Sequence, residues 1–164
     1  MEFASSVPFF KTALINRLQT VPALANGKVT VSRGHPYPKR WANDSVLVGG
    51  MSNYQQRLVC GMTQRREEYD VEITVNASGA AQDPYEDFEA RAYQLAAAVE
   101  TSLTEWTRTG ETLTSGPWGL VSAAIPEYVR DQEGLDQEEG KAPKSRDCTV
   151  YLVVHVTASV IGSG

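Results

Sequence analysis

The chain is poor in the residues that carry most enzyme chemistry. Its 164 residues include two histidines and two cysteines, namely His35, His155, Cys60 and Cys148. No two of the four form a close pair of the Cys-x-x-Cys kind that zinc sites use. Cys148 and His155 are separated by an odd number of positions, which in one strand points them to opposite faces. That excludes them as a nucleophile and its base. There is no glycine-rich phosphate loop and no dinucleotide fingerprint. There is no Gly-x-Ser-x-Gly elbow either. No apolar run reaches the roughly 18 residues of a membrane-spanning helix. Residues 1–6 lack the basic-then-apolar order of a secretion signal. The expectation is a chain that matures in a cytosol, with both thiols reduced and buried. Asn43-Asp44-Ser45 and Asn76-Ala77-Ser78 then carry no glycosylation meaning. No catalytic residue, metal ligand or cofactor site emerges from these absences.

An excess of positive charge is missing as well. Net charge is −5, from 20 acidic and 15 basic residues. Five of the acids, Asp131, Glu133, Asp136, Glu138 and Glu139, fall within residues 131–139 with no basic residue among them. The remainder of the chain is electrically balanced, so the acidity belongs to one segment. A chain of this kind does not wrap nucleic acid, because phosphate binding needs clustered Lys and Arg. The acidic run could offer oxygen ligands to a hard divalent cation. Its spacing does not follow the calcium-loop pattern, so a solvated loop is the favoured reading.

What is present is a clear succession of patterned segments. Ser5 and Ser6 can cap a helix entered at Pro8. Phe10, Leu14 and Leu18 give it one apolar stripe. Pro22 and Asn26-Gly27 end that region in a turn. Lys28 to Arg33 alternates as a half-buried strand. The prolines of 34–38 demand an exposed loop to about Asp44. A short strand is predicted over 45–48, with a turn or bulge at Gly49-Gly50. An extended stretch over 54–64 follows, and then a turn at Arg65-Arg66-Glu67. Tyr69, Val71, Ile73 and Val75 alternate inward along the strand 68–76.

Asp83, Pro84 and Glu86 mark the start of a long helix over 84–106. Its stripe is Phe88, Ala92, Leu95, Ala96, Val99, Leu103 and Trp106. A strand over 120–129, bent at Pro126, precedes a loop over 130–146. A last strand over 147–161 is apolar on both faces, as a central strand should be. Cys148, Val150, Leu152, Val154 and Val156 occupy one of those faces. The expected fold class is α+β: one domain over 1–164, with a single, mostly antiparallel sheet and two helices packed on one face.

Two groups invite an interface reading. Arg65, Arg66 and Glu67 form a mixed-charge turn that by default is solvated and contributes little; in an oligomer it would sit at a subunit contact. Tyr37, Trp41 and Trp118 lie in loops, where aromatics either pack locally or mark interfaces.

The layout resembles the tail terminator family of long, non-contractile phage tails. The residues that carry the resemblance are the short first helix Pro8–Leu18 and the strand and polar loop Val29–Pro38. The charged, tyrosine-containing stretch Arg65–Tyr69 with Val71–Val75 follows, then the long helix Asp83–Trp106 after its linker and the late strand Asp147–Val160. The resemblance covers about residues 8–160.

It implies a structural virion protein, without catalysis or cofactor, at the head-proximal end of the tail. Members form a homo-oligomeric, typically hexameric ring that caps the tube, ends tail elongation and makes the head-tail connection. The implied partners are the major tail tube protein and a head-tail connector or stopper protein. DNA passes through such a ring without specific binding, and no membrane is involved. The acidic segment is expected either at the lumen or its rim, where it would repel phosphate, or on the outside as a solvated loop. Another neck component, or a small ligand-binding or enzymatic domain, is the alternative reading.

Overall fold

A computed structural model describes residues 5–34, 44–59, 64–80, 82–108, 113–114, 120–123, 127–136 and 145–161. Two helices, α1 (Val7–Leu18) and α2 (Tyr85–Arg108), accompany seven strands. These are β1 (Val29–Arg33), β2 (Asp44–Val59), β3 (Gln64–Ala80), β4 (Leu113–Thr114), β5 (Leu120–Ala123), β6 (Glu127–Asp136) and β7 (Ser145–Ile161). All seven belong to one sheet of order β1-β2-β3-β7-β5-β4, with β6 also paired to β7. Only the β1–β2 pair is parallel, so the α+β, mostly antiparallel expectation holds.

The core forms where the period-2 face of the sheet meets the period-3.6 stripes of the helices. Tyr69, Val71, Ile73, Val75 and Ala77 of β3 are buried, as are Cys148, Val150, Leu152, Val154 and Val156 of β7. Every member of the α2 stripe predicted from the sequence is buried with them. In α1, Phe10, Leu14 and Leu18 join the same core. The ring of Phe10 meets Tyr69 edge-on and stacks on Trp106 at 6.0 Å, which ties the two helices to each other and to β3. Arg91 fixes the first half of α2 by donating to Asp44 Oδ1 at 2.9 Å and to the Ser78 carbonyl at 2.7 Å. Gly27 lies at φ 75°, which suits the turn expected at Asn26-Gly27.

Several boundaries differ from the sequence reading, each for a stated reason. The segments 45–48 and 54–59 are one strand, β2, interrupted by register shifts at Val48/Met51 and Ser52/Gln55. The first shift falls on Gly49-Gly50, where a bulge is expected. The second carries Asn53 at φ 52°, held by its donation to Asp70 Oδ2 at 2.8 Å. The predicted turn Arg65-Arg66-Glu67 lies inside β3, which begins at Gln64 and pairs with β2 and β7 through these residues. The predicted strand 120–129 is two strands, β5 ending at Ala123 and β6 beginning at Glu127. The expected loop 130–146 begins as strand, with β6 hydrogen-bonded to β7 as far as Asp136. Asp83, just before α2, accepts the Ala80 N–H on its carboxylate at 3.1 Å and closes the linker.

Candidate functional site

The site with most built-in chemistry is a buried carboxylate where α1 meets β3. Glu67 has 0% exposure. Its Oε2 accepts the Ser6 N–H at 2.9 Å and the Ser6 hydroxyl at 2.6 Å. Its Oε1 accepts the Tyr54 hydroxyl at 2.9 Å and the Arg65 guanidinium at 2.6 Å. Ser6 is the N-cap of α1, yet its hydroxyl makes no cap bond to the helix. Glu67 supplies the anion that a helix N-terminus favours, from a strand 61 residues away in sequence.

Burial by itself would raise the Glu67 pKa. The hydroxyl and N–H of Ser6, then Tyr54 and Arg65, overcome this and hold it below the usual carboxylate value. Burial and the Glu67 charge push the Tyr54 phenol up. Burial likewise raises the Tyr69 phenol, which lies 3.1 Å from the Ser6 hydroxyl. The carboxylate of the cluster is charged and fully occupied. It locks α1 onto the sheet.

A second polar group lies on the face of the sheet away from the helices. Asp70 Oδ1 is 2.8 Å from His155 Nδ1, and Asp70 Oδ2 accepts from Asn53. These two hydrogen bonds, Asn53 first, hold the Asp70 carboxyl below its ordinary range. The arrangement pins the β2 bulge to β3 and β7. Further along the same face, Asn76 donates to Asp147 and Thr149. Cys148 is buried with the Tyr85 hydroxyl 3.5 Å from its sulfur, while His155 stands on the opposite, open face as its spacing requires.

The outer half of β2 forms an exposed arm. Residues 51–58 are all exposed, including Met51 at 40%, Tyr54 at 36% and Leu58 at 49%. β1 covers β2 only from Asp44 to Val48. Beyond Val48, β2 pairs with β3 alone among the described residues. A polar hollow of about 60 Å³ sits on this arm between Gln55, Gln56, Arg57, Arg66 and Glu68. A shallower depression of about 330 Å³ runs along α2 beside Glu100, Thr104 and Arg108. Neither gathers a nucleophile with a base.

The residues singled out from sequence separate into three groups. Arg65 and Glu67 form the buried ion pair, while Arg66 bonds Glu68 on the exposed face at 3.1 Å. Glu67 therefore faces its own helix and is not available to a neighbouring subunit. Asp131, Glu133 and Asp136 take backbone positions in β6, in register with Val150, Cys148 and Ser145 of β7. Trp41, Trp118, Glu138, Glu139 and Cys60 lie outside the described residues.

The sequence reading missed Lys11. It is buried at 9% exposure in α1, near Arg33 of β1, and burial followed by the Arg33 charge lowers its pKa. A signal was present, because Val7, Lys11, Leu14 and Leu18 follow steps of four, three and four along one helix face.

No protein-family model matches the chain, and no curated protein matches it. Among solved structures it is similar to a chain from the "Virion of native gene transfer agent (GTA) particle". The two are 17% identical over 88% of this chain and 92% of that chain, with a TM-score of 0.48. A likeness at that level carries no functional argument.

Proposed function

We propose that the chain is a structural virion protein of a tailed phage, and that it caps the tail tube as a ring. In that role it ends tail elongation and joins the tail to the head, with no catalysis. The reading rests on the family resemblance of the segment order. The observation that carries it is the arm at residues 51–58, with Met51 and Leu58 exposed on a strand that pairs with β3 alone among the described residues. Exposed apolar side chains on an open edge strand are a liability in a monomer. They are what a ring subunit needs for its neighbours and for the tube.

The ring would be closed through heterologous contacts, with six copies as the resemblance implies. Its partners would be the tube protein on one side and a head-tail connector or stopper on the other, with DNA passing through. A neck component of another kind would use the same arm.

Gene deletion tests the reading. Overlong or headless tails together with filled, tailless heads are expected, scored by electron microscopy. Normal-length tails attached to heads would refute it. An enzymatic reading has one observation in its favour, the His155 imidazole oriented by Asp70. In this role His155→Ala would leave tail morphology unchanged and abolish a hydrolytic activity; a ring subunit would show no such activity.

A further inference from the structure

The outer half of β2 has little burial to hold it. Residues 51–58 are all exposed, so neither face of the strand is covered over that length. A segment with few buried contacts belongs to the low-stability end of a fold. The neighbouring strand is different. β3 pairs with β7 from Gln64–Ile161 to Ala80–Ser145 without a register shift.

What fastens the arm is its second bulge. Ser52 stands opposite Asp70 and Gln55 opposite Glu68, so Asn53 and Tyr54 together face Tyr69. Two residues against one, the first of them left-handed, is a bulge geometry that usually takes glycine. Here the left-handed residue is Asn53, at φ 52°. Its side chain does what glycine could not. It turns to the face away from the helices and donates to Asp70 Oδ2 at 2.8 Å, while Asp70 Oδ1 lies 2.8 Å from His155 Nδ1 on β7. Tyr54 turns to the helix face. Its ring stacks on Tyr69 at 6.2 Å, and its hydroxyl donates to Glu67 Oε1 at 2.9 Å. Glu67 in turn accepts the N–H and the hydroxyl of Ser6 at the start of α1.

We propose that this bulge is a two-sided clasp. Asn53 fastens the arm to β3 and β7 on one face of the sheet, and Tyr54 fastens it to the start of α1 on the other. The arm and the first turn of α1 therefore open and close as one unit, ahead of the β3–β7 pair. Both holds depend on one local conformation. A slip of one residue in a strand turns every side chain to the opposite face, so loss of the bulge breaks both holds together. The clasp belongs to a single protomer and stands whether or not protomers form a ring.

Native-state hydrogen exchange of the whole chain over a low-urea series tests this. The reporters are the amides of residues 51–59, the Ser6 amide bound to Glu67, and the Phe10 amide that donates to the Ser6 carbonyl at 2.9 Å. In the wild type these should share one opening free energy and one urea slope, below those of the β3 and β7 amides. Tyr54→Phe keeps the ring and removes the hydroxyl. Asn53→Ala removes the side-chain donor and strains the left-handed backbone. Each should speed exchange in the arm and at the α1 reporters together by roughly tenfold or more, the scale of one hydrogen bond to a charged group. Asn53→Gly relieves the strain and should recover part of that change.

Asn53→Ala is the decisive variant, because Asn53 lies on the opposite face of the sheet from α1. Faster exchange in the arm with the α1 reporters unchanged would mean a strand that frays by itself. Exchange of the arm and α1 only together with β3 and β7 would mean that no separate unit exists. Either result would overturn the clasp, and neither bears on the ring reading.

Discussion

Glu67 is the side chain whose loss the structure predicts most sharply. Replacing it with alanine removes the acceptor for four donors held within 3 Å: the Ser6 N–H, the Ser6 hydroxyl, the Tyr54 hydroxyl and the Arg65 guanidinium. The Arg65 side chain is only 13% exposed, so water compensates it poorly. Breaking a buried ion pair by removing one partner costs about 3–5 kcal/mol. The slight exposure of Arg65 places Glu67→Ala in the lower part of that range. In a domain of this size the loss lowers Tm by roughly 6–16 °C.

Glu67→Gln keeps the shape but turns two acceptors into one acceptor and one NH2 group, which meets donors. About 2 kcal/mol is expected. The pH dependence separates charge from shape. The carboxyl pKa is lower in the folded chain than its unfolded value of 4.5. Its contribution is therefore fully present above that value and is lost as pH falls through the folded pKa. The Tm gap between wild type and Glu67→Gln should be constant near neutrality and should close as the solution is acidified below about pH 4.5. Hydrogen exchange should show the first turn of α1 opening before the β3–β7 pair in both variants. A gap that does not change with pH, or a Glu67→Ala protein as stable as wild type, would refute the reasoning.

Three further outcomes are expected. Leu95→Ala removes a side chain that is 8% exposed between α2 and the sheet, and should cost about 2–5 kcal/mol in urea denaturation. Gly79→Ala should destabilise by about 1–3 kcal/mol, because an added Cβ would collide with the Phe88 ring; Gly79→Ala combined with Phe88→Leu should recover part of that loss in thermal melts. Lys11→Met replaces a largely buried side chain that carries its charge near Arg33 by an apolar one of similar length, so Tm should rise. The gain should shrink as pH climbs toward 10.5, because the lowered folded pKa makes wild-type Lys11 lose its charge in the folded chain first.

What the sequence revealed was whatever carried its own period. The α2 stripe from Phe88 to Trp106 and the alternation of Tyr69–Val75 and Cys148–Val156 are local patterns, and all of those residues are buried. The β2 arm gave no comparable signal, since residues 51–58 are exposed and two register shifts break the alternation. β6 was hidden for a related reason: EYVRDQEGLD has no apolar period, and what makes it a strand is the backbone ladder of β7. Arg65-Arg66-Glu67 read as a solvated turn because charged residues are rarely buried. The partner that buries Glu67 is Ser6 of α1, and no window along the chain contains both.

The position of β6 also changes what the acidic segment can do. Five acids on a free loop could line a channel as one flexible, repelling fringe. With Asp131, Glu133 and Asp136 fixed in a strand paired to β7, three of the five share the spacing and direction of that strand. The acidic segment is thus in part a sheet strand, and over those residues its backbone is set by the ladder to β7 rather than by the mutual repulsion of its carboxylates.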